Sequence, residues 1–513
     1  MRTKNFLILP VILFLGLVGI LFAEFTITTV PYAVVGTGVT VCYDTTTTIT
    51  CPTSPGEPFY GQNQGLTPSY QNNGNGTITD LNTGLTWIKA RGTKICWDSA
   101  FITAAQCNVG GYTDWRVPTI KELYSLINFN GKSGVNSTSC IPYIDTTYFG
   151  WKAGDTTVGE RVIDGQDWSA TKYKGLTMMA DSTIFGVNFI DGRIKGYPQY
   201  QPGTGNTVKQ RMYVRFVRGN TSYGINNFVD NSDSTITDNS TGLMWSKNDS
   251  RAGMNWQSAL AWVQTKNTAN YLGHNDWRLP TAKELQSIVD YTRCKDYTNS
   301  AAINPVFNIS SITDEGGNTN WPFFWSNTTH KDNMGGVYVA FGEALGWMKI
   351  PPTSTYFTLL DVHGAGAQRS DPKSGSYTSY YLGLDFNGQP VYGLGPQGDV
   401  IRINNYVRLV RGGSTIGIQN QGSTTPSSYS LYQNYPNPFN PTTNIEFAIP
   451  KSGNVSLIIY NILGKEVAMV YSGFLNAGSY TEQFDGSNLS SGVYFYRLTA
   501  GDYVSTKKMV LMK

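Results

Sequence analysis

The string DWRVPTIKEL occupies residues 114–123, and DWRLPTAKEL returns at 276–285, a domain's length further on. Pro118 cannot continue a preceding helix and holds Val117 extended, and Pro280 stands at the same place in the second string. Thr119 is then an N-cap with Glu122 three residues on, a capping box that Thr281 and Glu284 repeat. Leu123, Leu126 and Ile127 follow at helical spacing, as do Leu285, Ile288 and Val289. Trp115 and Trp277 are expected to anchor the preceding segment in the core. Arg116 and Arg278 are expected to pair with a carboxylate or with backbone carbonyls inside the domain. The string reads as an extended segment feeding a capped helix. It is folding grammar, with no catalytic role expected.

The repeat extends well beyond these ten residues. TITDLNTGLTWIKA at 77–90 answers TITDNSTGLMWSKN at 235–248, and DWSATKY at 167–173 answers FWSNTTH at 324–330. GVNFIDG at 186–192 loosely answers GLDFNG at 383–388, and YVRFVRG at 213–219 and YVRLVRG at 406–412 close the two copies. An amphipathic helix is predicted before each decapeptide, on Trp97, Ala100, Phe101 and Ala104, and on Trp256, Ala259, Leu260 and Val263 with Asn255 as cap. Landmarks in fixed order at domain spacing mean two copies of one fold, not a short-period solenoid. The second copy carries extra residues, roughly 340–378, that include DVHGAGAQRSDPKSG at 361–375.

The whole chain has 513 residues, enough for about three or four domains. Charged residues are 14% and aromatics 13%, with 55 Gly, a balance that suits a β- and loop-rich extracellular protein. A net charge of +3 and the lack of a basic run argue against nucleic acid. Arg2 and Lys4 precede an apolar run from Phe6 to Phe22, which reads as a secretory signal peptide over 1–23. No later segment is long and apolar enough to span a membrane, so no integral span is expected after signal removal.

Six cysteines fit export, and local closure would pair Cys42 with Cys51 and Cys96 with Cys107, leaving Cys140 and Cys294 to pair or stay free. With no C-x-x-C and only three scattered His, no metal is expected. No Ser-His-Asp, H-E-x-x-H or Walker string appears, and no cofactor is expected. Asp361, His363, Arg369 and Asp371 stand in a stretch whose Gly and Pro content describes a surface loop, open to a ligand or partner contact. Lys172, Lys174, Arg193 and Lys195 form a basic patch if their strands adjoin; scattered over a solvated face, they bind nothing.

These motifs together, T-x-T-D-x-x-T-G-L-x-W, D-W-R-x-P-T-x-x-E-L, the mid-domain W-S and the closing V-R-x-V-R-G, resemble the C-terminal domain of collagen-like adhesins, the Lcl C-terminal domain. The resemblance covers about 67–220 and 225–413, after an N-terminal strand and loop segment at 24–66. The helix start also resembles that of formylglycine-generating enzymes and C-type-lectin-like domains. It implies a compact α+β fold, two helices against a loop-rich β region with first and last strands paired. The Glu-Pro-Asn and Gln-Pro-Asp triplets of calcium-dependent lectins are absent. So are the late cysteines of the formylglycine-generating enzymes, since nothing follows Cys140 in copy one or Cys294 in copy two.

After a polar linker at 414–430, LYQNYPNPFNPTTNIEFAIP opens a last unit with strand-like runs at 445–449, 455–460, 493–498 and 508–512. Their spacing suggests a β-sandwich, of immunoglobulin-like kind. Residues 431–513 resemble the type A C-terminal sorting domain of the type IX secretion system, which implies that machinery as partner and the outer surface or the exterior as destination. The resulting expectation is a secreted, non-enzymatic protein of adhesion or glycan binding, with an anionic polysaccharide as candidate partner. A structural matrix component and an enzyme on a formylglycine-generating-enzyme-like scaffold are the alternatives.

Overall fold

The computed structural model describes residues 30–52, 57, 59–63, 65–136, 138–178, 180–332, 334–412, 428–451, 453–475, 478–486 and 489–512. The expected signal peptide and residues 414–427 of the expected linker lie outside them.

Copy one runs β1 (Tyr70–Asn72), β2 (Thr77–Asp80), β3 (Leu85–Ile88), α1 (Trp97–Ala105), α2 (Ile120–Ser125), β4 (Asp167–Lys172), β5 (Thr183–Asn188), β6 (Arg193–Pro198) and β7 (Val217–Gly219). Copy two repeats that order as β8 (Phe228–Asp230), β9 (Thr235–Asp238), β10 (Leu243–Ser246), α3 (Trp256–Thr268), α4 (Ala282–Ser287), β11 (Phe323–His330), β12 (Gly335–Ala340), β13 (Gln368–Asp371) and β14 (Val410–Gly412). In each copy the closing strand pairs with an early one at the same register, Trp87 opposite Val217 and Trp245 opposite Val410.

The copies are not beads on a string. Their strands form one six-stranded sheet in the order β11-β12-β13-β6-β5-β4, which reads the same from either edge once equivalent strands are exchanged. The junction is the antiparallel pair Gln368 and Ile194. Helices α2 and α4 pack against one another and against the strands of one sheet face. One hydrophobic cluster joins Leu123, Phe185 and Val187 of copy one to Leu285, Val337 and Val339 of copy two.

Two lysines lock this pseudo-two-fold arrangement. Lys121 at the start of α2 donates to Ser287 O at the end of α4 at 2.6 Å, and Lys283 at the start of α4 donates to Ser125 O at the end of α2 at 2.7 Å. Each cation therefore meets orphan carbonyls at the negative end of the other copy's helix. Burial still pushes both ammonium groups down, Lys121 to about 8 and Lys283 to about 7.

Several local expectations fail, and GVNFIDG at 186–192 is answered by the end of β12 rather than by GLDFNG at 383–388, which lies in a separate hairpin. Cys42 and Cys51 are disulfide-bonded, but Cys96 and Cys107 are free, as are the buried Cys140 and Cys294. Cys96 caps α1 at its start and Cys107 lies just past its end. A nine-residue helix at about 1.5 Å per residue holds those backbones well beyond disulfide reach. The segment from Val362 to Asp371, expected as a surface loop, is instead largely buried and ends as β13 inside the shared sheet. Gly366 makes the turn into it at φ +103°, where an added Cβ would lie 2.4 Å from the Tyr291 ring.

The last unit is a two-sheet sandwich of β15 (Ser430–Leu431), β16 (Thr442–Ile449), β17 (Gly453–Asn461), β18 (Glu466–Leu475), β19 (Gly478–Asp485), β20 (Gly492–Ala500) and β21 (Tyr503–Leu511). Sheets β15-β16-β19 and β18-β17-β20-β21 share one core that includes Phe447, Leu457 and Tyr496. Among the described residues, no helix is long and apolar enough to cross a membrane.

Candidate functional site: a cavity between the two copies

The decapeptides come first, because their geometry decides whether they are available for chemistry. The Thr119 hydroxyl accepts from Glu122 N at 3.2 Å, and the Glu122 carboxylate accepts from Thr119 N at 2.8 Å. Arg116 forks onto both oxygens of Glu122 at 2.7 and 2.5 Å. In copy two Thr281 and Glu284 form the same box, and Arg278 meets both Glu284 oxygens at 2.6 Å. The indoles of Trp115 and Trp277 are buried and donate to Val109 O and Tyr271 O. Thr171 and Thr328, from the strands bearing the W-S pairs, accept from Ile120 N and Ala282 N, satisfying a further orphan N–H of each helix.

The closing motifs complete this unit. Arg218 and Arg411 donate to Asp114 and Asp276, the first residues of the two decapeptides, at 2.7 and 2.6 Å. The buried Arg215 and Arg408 each spend both terminal nitrogens on three backbone carbonyls. The most distinctive residues of both motifs are thus occupied with one another.

A different place is open. Strand alternation sends Ile194 and Gln368 towards the helices, where Gln368 accepts from the Tyr124 hydroxyl at 3.1 Å. Their neighbours Arg193, Lys195 and Arg369 therefore point to the opposite face. There they line a cavity of about 810 Å³, within the range of small-molecule sites. Copy one contributes Asp191, Arg193 and Lys195; copy two contributes His363, Arg369 and Asp399.

Within it Lys195 pairs with Asp191 Oδ2, and Arg193 donates to Asp191 O at 3.0 Å. Arg369 Nη2 pairs with Asp399 Oδ2, and His363 Nε2 lies 3.0 Å from Asp399 Oδ1. Burial, followed by the neighbouring cations, holds the His363 imidazole well below its usual range, so it is neutral at pH 7. Burial also lowers Lys195 to about 8, with the Asp191 carboxylate opposing the shift, and lowers Arg369 to about 10. The full lining carries six Lys or Arg and five Asp or Glu. Such a surface suits a polar, charged ligand, with Val158, Ile163, Met178, Leu394 and Ile401 adding apolar contact area.

The four residues of the expected basic patch do not come together. Arg193 and Lys195 line the cavity, whereas Lys172 and Lys174 are exposed beyond its lining, Lys174 over the Tyr297 ring at 5.8 Å. The reason is strand register: Lys172 sits at the end of β4, across β5 from Tyr197 rather than from Lys195. Sequence reasoning passed over Asp191, His363, Arg369 and Asp399 as a set. The one signal was the two-residue spacing of Arg193 with Lys195 and of Arg369 with Asp371, the mark of a charged strand face. Among the described residues, no group of three or more His, Cys, Asp or Glu is placed to hold a metal ion.

No curated protein matches the chain. A solved structure of PorZ, an essential bacterial surface component of the type IX secretion system of Porphyromonas gingivalis, matches at 12% identity with a TM-score of 0.16. That match covers 84% of this chain and 58% of the PorZ chain, so this chain spans less than two thirds of that protein's length. Residues 433–512 match the secretion system C-terminal sorting domain, which directs export through the type IX system to the cell surface or extracellular space. Residues 76–218 and 234–360 each match the Lcl C-terminal domain, and the structure carries the second copy on to its closing strand at Gly412. The chain belongs to the Lcl C-terminal domain family, with two copies of that domain ahead of a sorting domain.

Proposed function

We propose that this is a non-enzymatic surface or extracellular protein of adhesion, which binds acidic polysaccharide in the cavity that its two copies build together. The observation that supports the reading is the cavity itself, polar, cation-bearing and lined from both copies. The C-type-lectin-like character of each copy belongs to the same proposal and rests on the W-R-x-P-T-x-x-E helix start. Binding is electrostatic and independent of calcium, because the chain lacks the calcium-lectin triplets. Charge attraction at the cavity mouth is screened over about 8 Å at physiological ionic strength. The full secreted chain should therefore be retained on a heparin column at low salt, elute as salt rises, and behave identically with chelator. Absence of retention at low salt, or its loss on chelation, would sink the proposal.

A further inference from the structure

Away from the cavity, three charged side chains of copy two converge on one buried amide. Lys295 opens the one-turn helix Lys295–Thr298, and Asn320 ends the short hairpin of Ile312–Thr313 with Thr319–Asn320. Asp314 stands in the turn of that hairpin, and Glu343 follows β12. Asn320 is fully buried, and Asp314 is buried beside it. Lys295 Nζ donates to Glu343 Oε2 at 2.6 Å and lies 4.0 Å from Asp314 Oδ2. Asn320 Nδ2 donates to the same Glu343 oxygen at 3.3 Å and to Asp314 Oδ2 at 3.4 Å. An amine and an amide nitrogen thus flank one carboxylate oxygen.

The carbonyl end of the amide is equally fixed. Asn320 Oδ1 accepts from Trp321 N at 2.9 Å and from Glu343 N at 3.0 Å. Two backbone donors on one carbonyl oxygen draw electron density from Cγ and stand ready for an oxyanion, as in acyl transfer. Gly342 permits this approach, because an added Cβ there would overlap Asn320 Oδ1. Asp314 is held by Gly316 N and Asn318 N, which donate to its Oδ1 at 3.0 and 2.9 Å. A simple ion pair of Lys295 with Glu343 needs neither the buried amide between two acids nor the doubled donors.

We propose that Lys295 and Asn320 join in an isopeptide bond, which the folded chain forms by itself with release of ammonia. The bond is independent of what the cavity binds. The Lys295 ammonium passes a proton to Glu343, and the freed amine attacks Asn320 Cγ. Trp321 N and Glu343 N hold the negative oxygen that forms. Glu343 takes a second proton from Nζ in turn and delivers both to Nδ2. The Cγ–Nδ2 bond breaks, ammonium leaves, and Glu343 is again a carboxylate. Nothing is oxidised or reduced. Burial pushes the Glu343 carboxyl up, against the pull of Lys295, which suits a group that takes a proton and returns it. Holding amine and amide side by side replaces a bimolecular encounter. The product ties the segment after α4 to the hairpin through a link that no thiol reductant opens.

Tandem mass spectrometry on a digest of the purified, denatured full chain tests this. A branched peptide joining Lys295 to Asn320 should appear, lighter than its two linear parts by one ammonia. Lys295→Arg keeps the positive charge beside Glu343 and should abolish the branch. Glu343→Gln should make it at least about tenfold scarcer, the scale of a lost general base. Circular dichroism of each variant separates lost chemistry from lost fold. Only linear peptides from the unaltered chain, after prolonged incubation at neutral pH, would overturn the bond whatever the variants do. A branch lighter by one water would also overturn it, since the acyl group would then be Asp314. An undiminished branch in folded Glu343→Gln would overturn the proton route.

Discussion

Arg116 and Arg278 make the same fork on the same kind of capping glutamate, yet the first side chain is 31% exposed and the second 8%. The cause lies outside the motif. In copy two, Asn327 donates to Gly61 O, which draws the N-terminal segment over Arg278. The residue at that point of copy one is Ala170, which has no side-chain donor. The upstream helices differ in the same sense. Helix α3 begins at Asn255, whose side chain accepts from Ser258 N at 2.8 Å, and it buries Trp256, Ala259, Leu260 and Val263. Helix α1 begins at Cys96 without a side-chain cap and leaves Phe101 41% exposed, against the amphipathic pattern expected for it. A repeated motif thus fixes geometry, while its energetic weight is set by what each copy lays over it.

That contrast can be broken by experiment. Arg278→Met strands a buried Glu284 and should cost roughly 3–5 kcal/mol in denaturant unfolding of the tandem domains. Arg116→Met, with water able to reach Glu122 through the vacated side chain, should cost less, about 1–3 kcal/mol. Equal losses would show that coverage by the N-terminal segment is without consequence.

A pH series isolates the reciprocal lysines. Lys283 titrates near 7 in the folded chain against 10.5 unfolded, so between those values the unfolded state binds more protons and stability rises with pH. Thermal melts should therefore move upward from pH 7 to 9, and Lys283→Met should reduce that slope. Some slope must remain, because Lys121, Lys195 and Lys373 are shifted the same way. An unchanged slope in the variant would refute this account of Lys283. The smallest effect should come from Thr119→Ala and Thr281→Ala, about 1 kcal/mol each as lost N-caps. Here the copies should agree, and a clear difference would mean that coverage reaches the caps too.

The decapeptide helix starts were legible because the cap itself is local, Thr119 with Glu122, and the carboxylate expected for Arg116 is that same Glu122, six residues on. Family resemblance implied that first and last strands pair, but the closing strand pairs with the third, Trp87 opposite Val217, and the first lies at the far edge of that sheet. The cavity was not legible, since Lys195 and Arg369 meet only through a strand pair between copies, and nothing local announces that Gln368 will sit beside Ile194. Local closure misled at Cys96 and Cys107 because a helix lies between them. Glycine content misled at 361–375 because Gly366 serves a close passage beneath Tyr291 and makes no solvent loop.

The reciprocal bonds of Lys121 and Lys283 have a consequence for life in dilute surroundings. An isologous contact between separate chains dissociates as its components are diluted, and a secreted protein is diluted without limit. Here the two halves are joined through residues 220–227, between β7 and β8. A short tether of that kind holds its partners at an effective concentration on the order of millimolar, whatever the protein's own concentration. The pairing becomes a first-order property of one chain. A site assembled from both halves stays assembled in a single molecule, at the cell surface or beyond it.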